Sequence, residues 1–157
     1  MKTIQWKPLL ISLLIPLATG GLSGLLTKDH VAAFQSMNQP PLSPPAFLFP
    51  IVWTILFSLM GISAYLVYTS DSNTGNRKAL TLYGMQLAAN FIWPLIFFNV
   101  QNYLLAFIWI LLLWVLILAM LISFYKINHT AAFLQIPYLL WVTFAAYLNC
   151  GVWILNR

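Results

Sequence analysis

The chain has 157 residues, of which 62% are hydrophobic and only 6% charged, with a mean hydropathy of +0.88 and a formal net charge of +5. A soluble domain carries roughly 25% charged residues, so this composition excludes a water-facing surface and predicts an integral membrane protein. The basic residues stand at the ends of apolar runs and form no patch, which argues against nucleic acid as a partner. The single cysteine, Cys150, excludes an internal disulfide and a cysteine-based metal cluster, and no metal site is expected.

Five apolar runs are long enough to cross a bilayer, which takes about 20 helical residues. Helices rather than strands are predicted, because each segment must satisfy its own backbone polar groups inside the membrane. Residues 1–157 are therefore read as one all-α domain, a bundle of five transmembrane helices. The predicted helices cover about residues 6–27, 47–69, 79–98, 103–125 and 132–155.

The first helix contains Gly20 and Gly24 one turn apart, a spacing that lets another helix approach closely. Packing inside the bundle and a dimer contact are both open at this point. The long first loop, residues 28–46, follows it. Its first half predicts a short surface helix with Asp29 as N-cap, and its proline-rich second half predicts extended backbone.

Basic residues also predict an orientation, because cytoplasmic loops are enriched in lysine and arginine. Five of them fall on one side of a five-helix arrangement and two on the other, so the N-terminus is expected in the cytoplasm and the first loop outside. No mitochondrial presequence is visible, which favours the plasma membrane. The two groups are Lys2, Lys7, Arg77, Lys78 and Lys126 against Lys28 and Arg157.

The inventory of titratable groups is thin. Asp29, Asp71, His30 and His129 all fall in predicted loops, and none lies deep in a predicted span. Proton-coupled pumps and transporters usually keep such a group inside the membrane, so the sequence disfavours this class of protein. No nucleophile–base pair is visible, and Asp29 with His30 is read as a solvated loop pair rather than a catalytic dyad.

Aromatic and amide side chains are the distinctive feature of the third helix. Gln86, Asn90, Trp93 and Phe97 are spaced i, i+4, i+7 and i+11, which places them on one helical face. Because an amide exposed to lipid is costly, Asn90 is expected to point into the bundle and find a partner. Pro94 is predicted to kink this helix at or before Trp93.

The fifth helix repeats this pattern, and Asn149 is likewise expected to point inward. Ala145, one turn from Trp141, would leave a gap that a ligand could fill. Trp53 follows the proline-rich loop at the start of the second helix. From periodicity alone, a ligand cavity and packing or interfacial anchoring fit these rings equally well. The repeating residues are Tyr138, Trp141, Ala145 and Leu148 or Asn149.

The segments NFIWPLIFF (90–98) and PYLLWVTFAAYLNCGVW (137–153) resemble the translocator protein family, also called peripheral-type benzodiazepine receptors. Its bacterial members are tryptophan-rich sensory proteins, or TspO. PLATGGLSG (16–24) and PIVWTILFSLMGISAYLVY (50–68) extend the resemblance over nearly the whole chain. It implies a five-helix membrane bundle, often dimeric, with a ligand pocket near the first loop.

The resemblance implies a membrane receptor or sensor that binds tetrapyrroles such as protoporphyrin IX and other hydrophobic aromatic small molecules. The implied partners also include the lipid bilayer and a second copy in a homodimer. No cofactor is required, and a porphyrin is the ligand or substrate. Pro44 and Pro45 would help the first loop act as a lid. The implied ligand-binding residues are Trp53, Asn90, Trp93, Phe97, Tyr138, Trp141, Ala145 and Leu148.

Three alternatives remain open. One is an enzyme that degrades protoporphyrin under light without conventional acid or base residues, for which Trp53 and Trp141 are the catalytic candidates. Another is a porphyrin or small-molecule transporter, disfavoured by the absence of intramembrane charge and of two matched halves. The last is a purely structural membrane protein, which predicts no saturable porphyrin binding.

The chain departs from the family pattern at three positions. Gln39 stands where the family has lysine, and Leu42 stands where it has tryptophan between the loop prolines. Trp109 stands where the fourth helix commonly carries an acid. These differences bear on the lid contacts and on ligand preference.

Overall fold

The computed structural model describes residues 4–71 and 73–157, apart from the side chains of residues 73 and 74. Every regular element in these ranges is a helix, and five helical spans are long and apolar enough to cross a membrane. The predicted fold class is therefore confirmed. The α-helices are α1 Trp6–Thr27, α2 Val31–Gln35, α3 Leu48–Tyr68, α4 Asn73–Pro94, α5 Tyr103–Tyr125, α6 His129–Phe133 and α7 Ile136–Leu155.

The first and fourth predicted spans match α1 and α5, and the second differs from α3 by one residue at each end. The third begins six residues earlier than the predicted 79, because polar residues before Ala79 continue the helix beyond the apolar run. The fifth is divided into α6 and α7. Pro137 lies in the first turn of α7, a position proline favours, and this starts a new helix within the apolar segment.

The predicted surface helix in the first loop exists, but Asp29 does not cap it. A 3₁₀ turn, Lys28–His30, continues α1 into α2, and His30 occupies the N-cap position of α2 without a side-chain cap hydrogen bond. The prediction was wrong because helical backbone angles persist through this region, whereas an N-cap residue needs non-helical angles. Residues 38–45 contain no helix, as the prolines predict.

The irregularity in the third span lies after Pro94, not at or before Trp93 as predicted. The α-helix holds through Pro94 and continues as a π-helix, Leu95–Val100. Proline removes a backbone donor, and the helical hydrogen-bond pattern changes from α to π directly after it. The π-helix ends at Gln101, whose φ of 56° lies in the left-handed region.

Gly20 makes the close approach that its spacing predicts, whereas Gly24 does not. A Cβ atom on Gly20 would overlap the Phe57 ring of α3. A Cβ atom on Gly24 would meet nothing within 4 Å. Gly20 is therefore a packing residue between α1 and α3, while the Gly24 position faces open space.

Candidate functional site

Tyr138 of α7 lies between two amide side chains of α4. Its hydroxyl accepts a hydrogen bond from Asn90 Nδ2 at 2.8 Å and donates one to Gln86 Oε1 at 2.8 Å. All three side chains are buried. The i, i+4 spacing of Gln86 and Asn90 brings both amides to one hydroxyl, which confirms the inward orientation predicted for Asn90.

Two indole rings lie near Tyr138 where α3 packs against α7. Trp53 of α3 meets the Tyr138 ring edge-on, with the ring centroids 6.2 Å apart. One turn along α7, the Trp141 ring contacts Phe49 at 6.0 Å. We call Trp53, Asn90, Tyr138 and Trp141 the aromatic site.

The Trp141 indole nitrogen is distinctive within this site. It is buried and has no hydrogen-bond partner among the described residues. By contrast, the Trp93 indole donates to Asn149 Oδ1 at 3.1 Å, and the Trp114 indole donates to Thr143 Oγ1 at 2.8 Å. The aromatic site thus contains a buried indole donor, that of Trp141, without a protein acceptor.

Trp93 and Phe97 belong to a second cluster on the π-helix side of the bundle. Their rings stack at 5.1 Å, and Phe97 packs edge-on against Phe34 of α2 at 5.4 Å. Asn149, whose Oδ1 accepts from Trp93, donates from Nδ2 to the Tyr103 carbonyl at 2.9 Å. The inward orientation predicted for Asn149 is confirmed.

The predicted ligand-binding residues therefore divide between two places. Ala145 and Leu148 are buried on the same α7 face as Tyr138 and Trp141, and Trp93 packs against both hydrophobic clusters. None of the eight predicted residues lines either of two open grooves. One groove, of about 430 Å³, lies between α1 and α4. The other, of about 490 Å³, lies beside Tyr68 and Arg77.

The first loop is fastened along α7. The Asn38 backbone N–H donates to Asn156 Oδ1 at 3.2 Å, and Asn156 Nδ2 donates to the Asn38 carbonyl at 2.9 Å. The Tyr147 hydroxyl donates to the Pro41 carbonyl at 2.9 Å. Pro40 packs so closely on Gly151 that a Cβ atom there would meet the proline Cβ at 2.5 Å.

Sequence reasoning missed the residues that hold this loop. Tyr147 and Gly151 lie one turn apart on α7, which was the available signal for these two, whereas Asn156 lies at the C-cap of α7. The predicted lid prolines lie beyond these contacts, with Pro44 half-buried and Pro45 exposed just before α3.

Two of the three departures from the family pattern, Leu42 and Trp109, have different structural outcomes. Leu42 is 81% exposed, and its φ of 68° is uncommon for a bulky side chain. Trp109 points inward instead, and its indole donates to the Ala89 carbonyl of α4 at 2.9 Å. At the position where an acid is common, this chain thus has a hydrogen bond between α5 and α4.

Conventional catalytic machinery is not evident in the described part of the chain. No group of three or more histidine, cysteine, aspartate or glutamate side chains there could hold a metal ion. Asp29 and Asp71 are both exposed, away from the buried amides of the aromatic site. The arrangement offers half-buried aromatic rings, the unpartnered Trp141 N–H and a neutral hydrogen-bonded network.

These features define a class: an integral membrane protein of five spanning helices whose interior is lined by indole rings and amides. The sequence model of the TspO/MBR family matches residues 12–154. The chain belongs to the TspO/MBR family.

Similar proteins come from bacteria and animals. The chain is 36% identical over 156 residues to the tryptophan-rich protein TspO of Chlorobaculum tepidum, covering 99% of this chain and 98% of that one. It is 33% identical over 141 residues to the tryptophan-rich sensory protein of Cereibacter sphaeroides, covering 90% and 84%. It is 32% identical over 152 residues to the translocator protein of Ovis aries, covering 94% and 89%. The predicted family is confirmed.

Proposed function

We propose that this protein is a membrane receptor or sensor that binds a tetrapyrrole such as protoporphyrin IX at the aromatic site. The observation that supports it most is the pair of indoles where α3 meets α7, with Trp53 against Tyr138 and Trp141 against Phe49. Indole rings stack on flat aromatic molecules, and apolar side chains bury most of such a ligand.

The polar groups of the aromatic site also suit an uncharged or peripherally polar aromatic ligand. The free Trp141 N–H can donate to an acceptor on the ligand, whereas Asn90 and Tyr138 already satisfy each other. Binding of this kind requires no cofactor. The membrane supplies the route of access for a hydrophobic molecule, and the first loop, lying along α7, is the element that would cover the ligand.

The proposal is tested by titrating detergent-purified protein with protoporphyrin IX in the dark and following tryptophan quenching. Trp53→Phe and Trp141→Phe are each expected to weaken binding by about tenfold, since loss of an aromatic contact and an indole donor costs about 1–2 kcal/mol. The matched control is Trp6→Phe, because Trp6 is 67% exposed at the far end of α1. Inner-filter correction and a competing ligand separate specific binding from partition into micelles. Non-saturable quenching that none of the three substitutions changes would contradict the proposal.

Light-dependent degradation of protoporphyrin is the second candidate activity. It is favoured by the same two indoles, Trp53 and Trp141, which would contact an excited ligand directly. Illuminating the complex and comparing the products with those of free protoporphyrin separates the two functions. A product unique to the complex supports the enzyme, and identical products support binding alone.

The resemblance and the charge pattern support three further parts of the proposal. The protein lies in the plasma membrane, its N-terminus faces the cytoplasm, and it forms a homodimer. The distribution of basic residues supports the orientation, since Lys7, Lys78 and Lys126 fall at one end of the bundle in an alternating five-span topology. Cross-linking in native membranes tests the dimer.

A further inference from the structure

Four buried polar atoms near the α6 end of the bundle have no hydrogen-bond partner among the described residues. They are the Tyr83 hydroxyl, Gln86 Nε2 and both amide atoms of Gln135. Gln86 and Gln135 are 0% exposed. Native folds rarely leave such atoms without a partner, because desolvating an unpaired polar group costs free energy. These side chains therefore call for a bound partner.

Helices α4 and α7 run in the same direction, which fixes the relative heights of their side chains. Asn90 bonds to Tyr138, and Trp93, further along α4, bonds to Asn149, further along α7. Residues that precede Asn90 and Tyr138 in their helices therefore lie on the same side of that hydrogen bond, toward α6.

Tyr83 precedes Asn90 along the chain and Gln135 precedes Tyr138, so both lie on the α6 side of the Asn90–Tyr138 hydrogen bond. Tyr83 lies one turn before Gln86, and Gln135 lies one turn before Tyr138. The Tyr138 hydroxyl reaches Gln86 at 2.8 Å, which ties the two helices together at this height. The Tyr83 ring stacks on Phe124 of α5, with the ring centroids 6.3 Å apart. The unpartnered atoms thus share one level of the bundle.

The donors and acceptors among the four unpartnered atoms indicate what kind of molecule can bind them. They comprise two amide donors, one amide acceptor and one hydroxyl that can donate or accept. A cation such as Ca²⁺ takes six or more oxygen ligands, and only the Tyr83 and Gln135 oxygens are free here. An anion would meet the Gln135 carbonyl with no positive charge to balance it. A neutral molecule that both donates and accepts fits all four atoms.

We propose that Tyr83, Gln86 and Gln135 form a binding site for one or two ordered water molecules. A buried water makes about three hydrogen bonds, so one or two molecules satisfy four atoms. Because Gln86 also accepts from Tyr138, this water site continues the hydrogen-bonded network that ends at Asn90. The water site therefore helps to hold the hydrogen-bonded side chains of the aromatic site in place. Whether the water is bound does not depend on which ligand the aromatic site takes.

Substituting Gln135 by methionine gives a two-sided test, since methionine has a similar volume and no strong hydrogen-bonding group. With bound water, Gln135→Met removes bridged hydrogen bonds and lowers the Tm of the detergent-purified protein by about 3 °C or more. Without it, the substitution removes two desolvated atoms and leaves the Tm unchanged or raises it, which overturns the proposal. The matched control is Leu113→Met, a buried volume-conserving change that is expected to shift the Tm less.

A second measurement uses the wild-type chain and does not depend on how the variant folds. In protein labelled with ¹⁵N-glutamine, the Gln135 side-chain amide is expected to show a nuclear Overhauser cross-peak to long-lived water. The signal is assigned by its absence in Gln135→Met or, if that variant does not fold, in Gln135→Asn. A Gln135 amide signal without a water cross-peak overturns the proposal whatever the Tm.

Discussion

Replacing Gly61 by alanine is expected to lower the Tm by about 2–12 °C. A Cβ atom on Gly61 would lie 2.7 Å from the Ser12 carbonyl oxygen and 2.8 Å from Leu13 Cα, both in the backbone of α1. A backbone cannot rotate away as a side chain can, so α1 and α3 must move apart. Overpacking of this kind costs about 1–3 kcal/mol, and each kcal/mol shifts the Tm of a chain this size by about 2–4 °C. Thermal unfolding in detergent measures the effect.

The control for Gly61 is Gly24, which also lies in a membrane-spanning helix. A Cβ atom there meets nothing within 4 Å, so Gly24→Ala is expected to leave the Tm unchanged or to raise it slightly through helix propensity. Equal shifts in the two variants would mean that α1 and α3 do not pack as closely as described.

Removing the Tyr138 hydroxyl is the second substitution with a large expected effect. Tyr138→Phe leaves Asn90 Nδ2 and Gln86 Oε1 buried without their 2.8 Å partner. Each orphaned group costs about 1–3 kcal/mol, so the Tm is expected to fall by about 5 °C or more. Phenylalanine keeps the ring that contacts Trp53, so protoporphyrin binding is expected to weaken less in this variant than in Trp53→Phe.

Tyr147→Phe provides the comparison for Tyr138→Phe. Tyr147 is exposed and loses only its bond to the Pro41 carbonyl, so its cost is expected to stay below about 1 kcal/mol. A Tyr138→Phe protein as stable as Tyr147→Phe would show that the buried amides find other partners. The account of the network between α4 and α7 would then be wrong.

The sequence predicted those parts of the fold that follow from the contact of each helix with lipid. Long apolar runs located all five membrane spans, because lipid tolerates few charged groups. The cost of an exposed amide predicted that Asn90 and Asn149 point inward, and both found partners. These inferences required only the composition and spacing of single helices.

The parts that depend on neighbouring elements were not predictable in the same way. Phe97 shares a helical face with Gln86 and Asn90, yet the π-helix after Pro94 and the approach of Phe34 place it in a separate cluster. The loop contacts of Asn156 need a partner 118 residues away, which local periodicity cannot indicate. The role of Trp109 likewise depends on the position of a carbonyl in another helix.

Binding of a flat aromatic ligand against Trp53 and Trp141 can be tested ring by ring. Replacing all seven tryptophans by 5-fluorotryptophan and titrating with protoporphyrin IX in the dark reports on each ring by ¹⁹F NMR. Single Trp→Phe variants assign the signals. The account predicts saturable shifts of the Trp53 and Trp141 signals, because a bound tetrapyrrole has a strong ring current, while the Trp6 and Trp114 signals stay in place. Unchanged Trp53 and Trp141 signals, or shifts of equal size at Trp6 and Trp114, would contradict it.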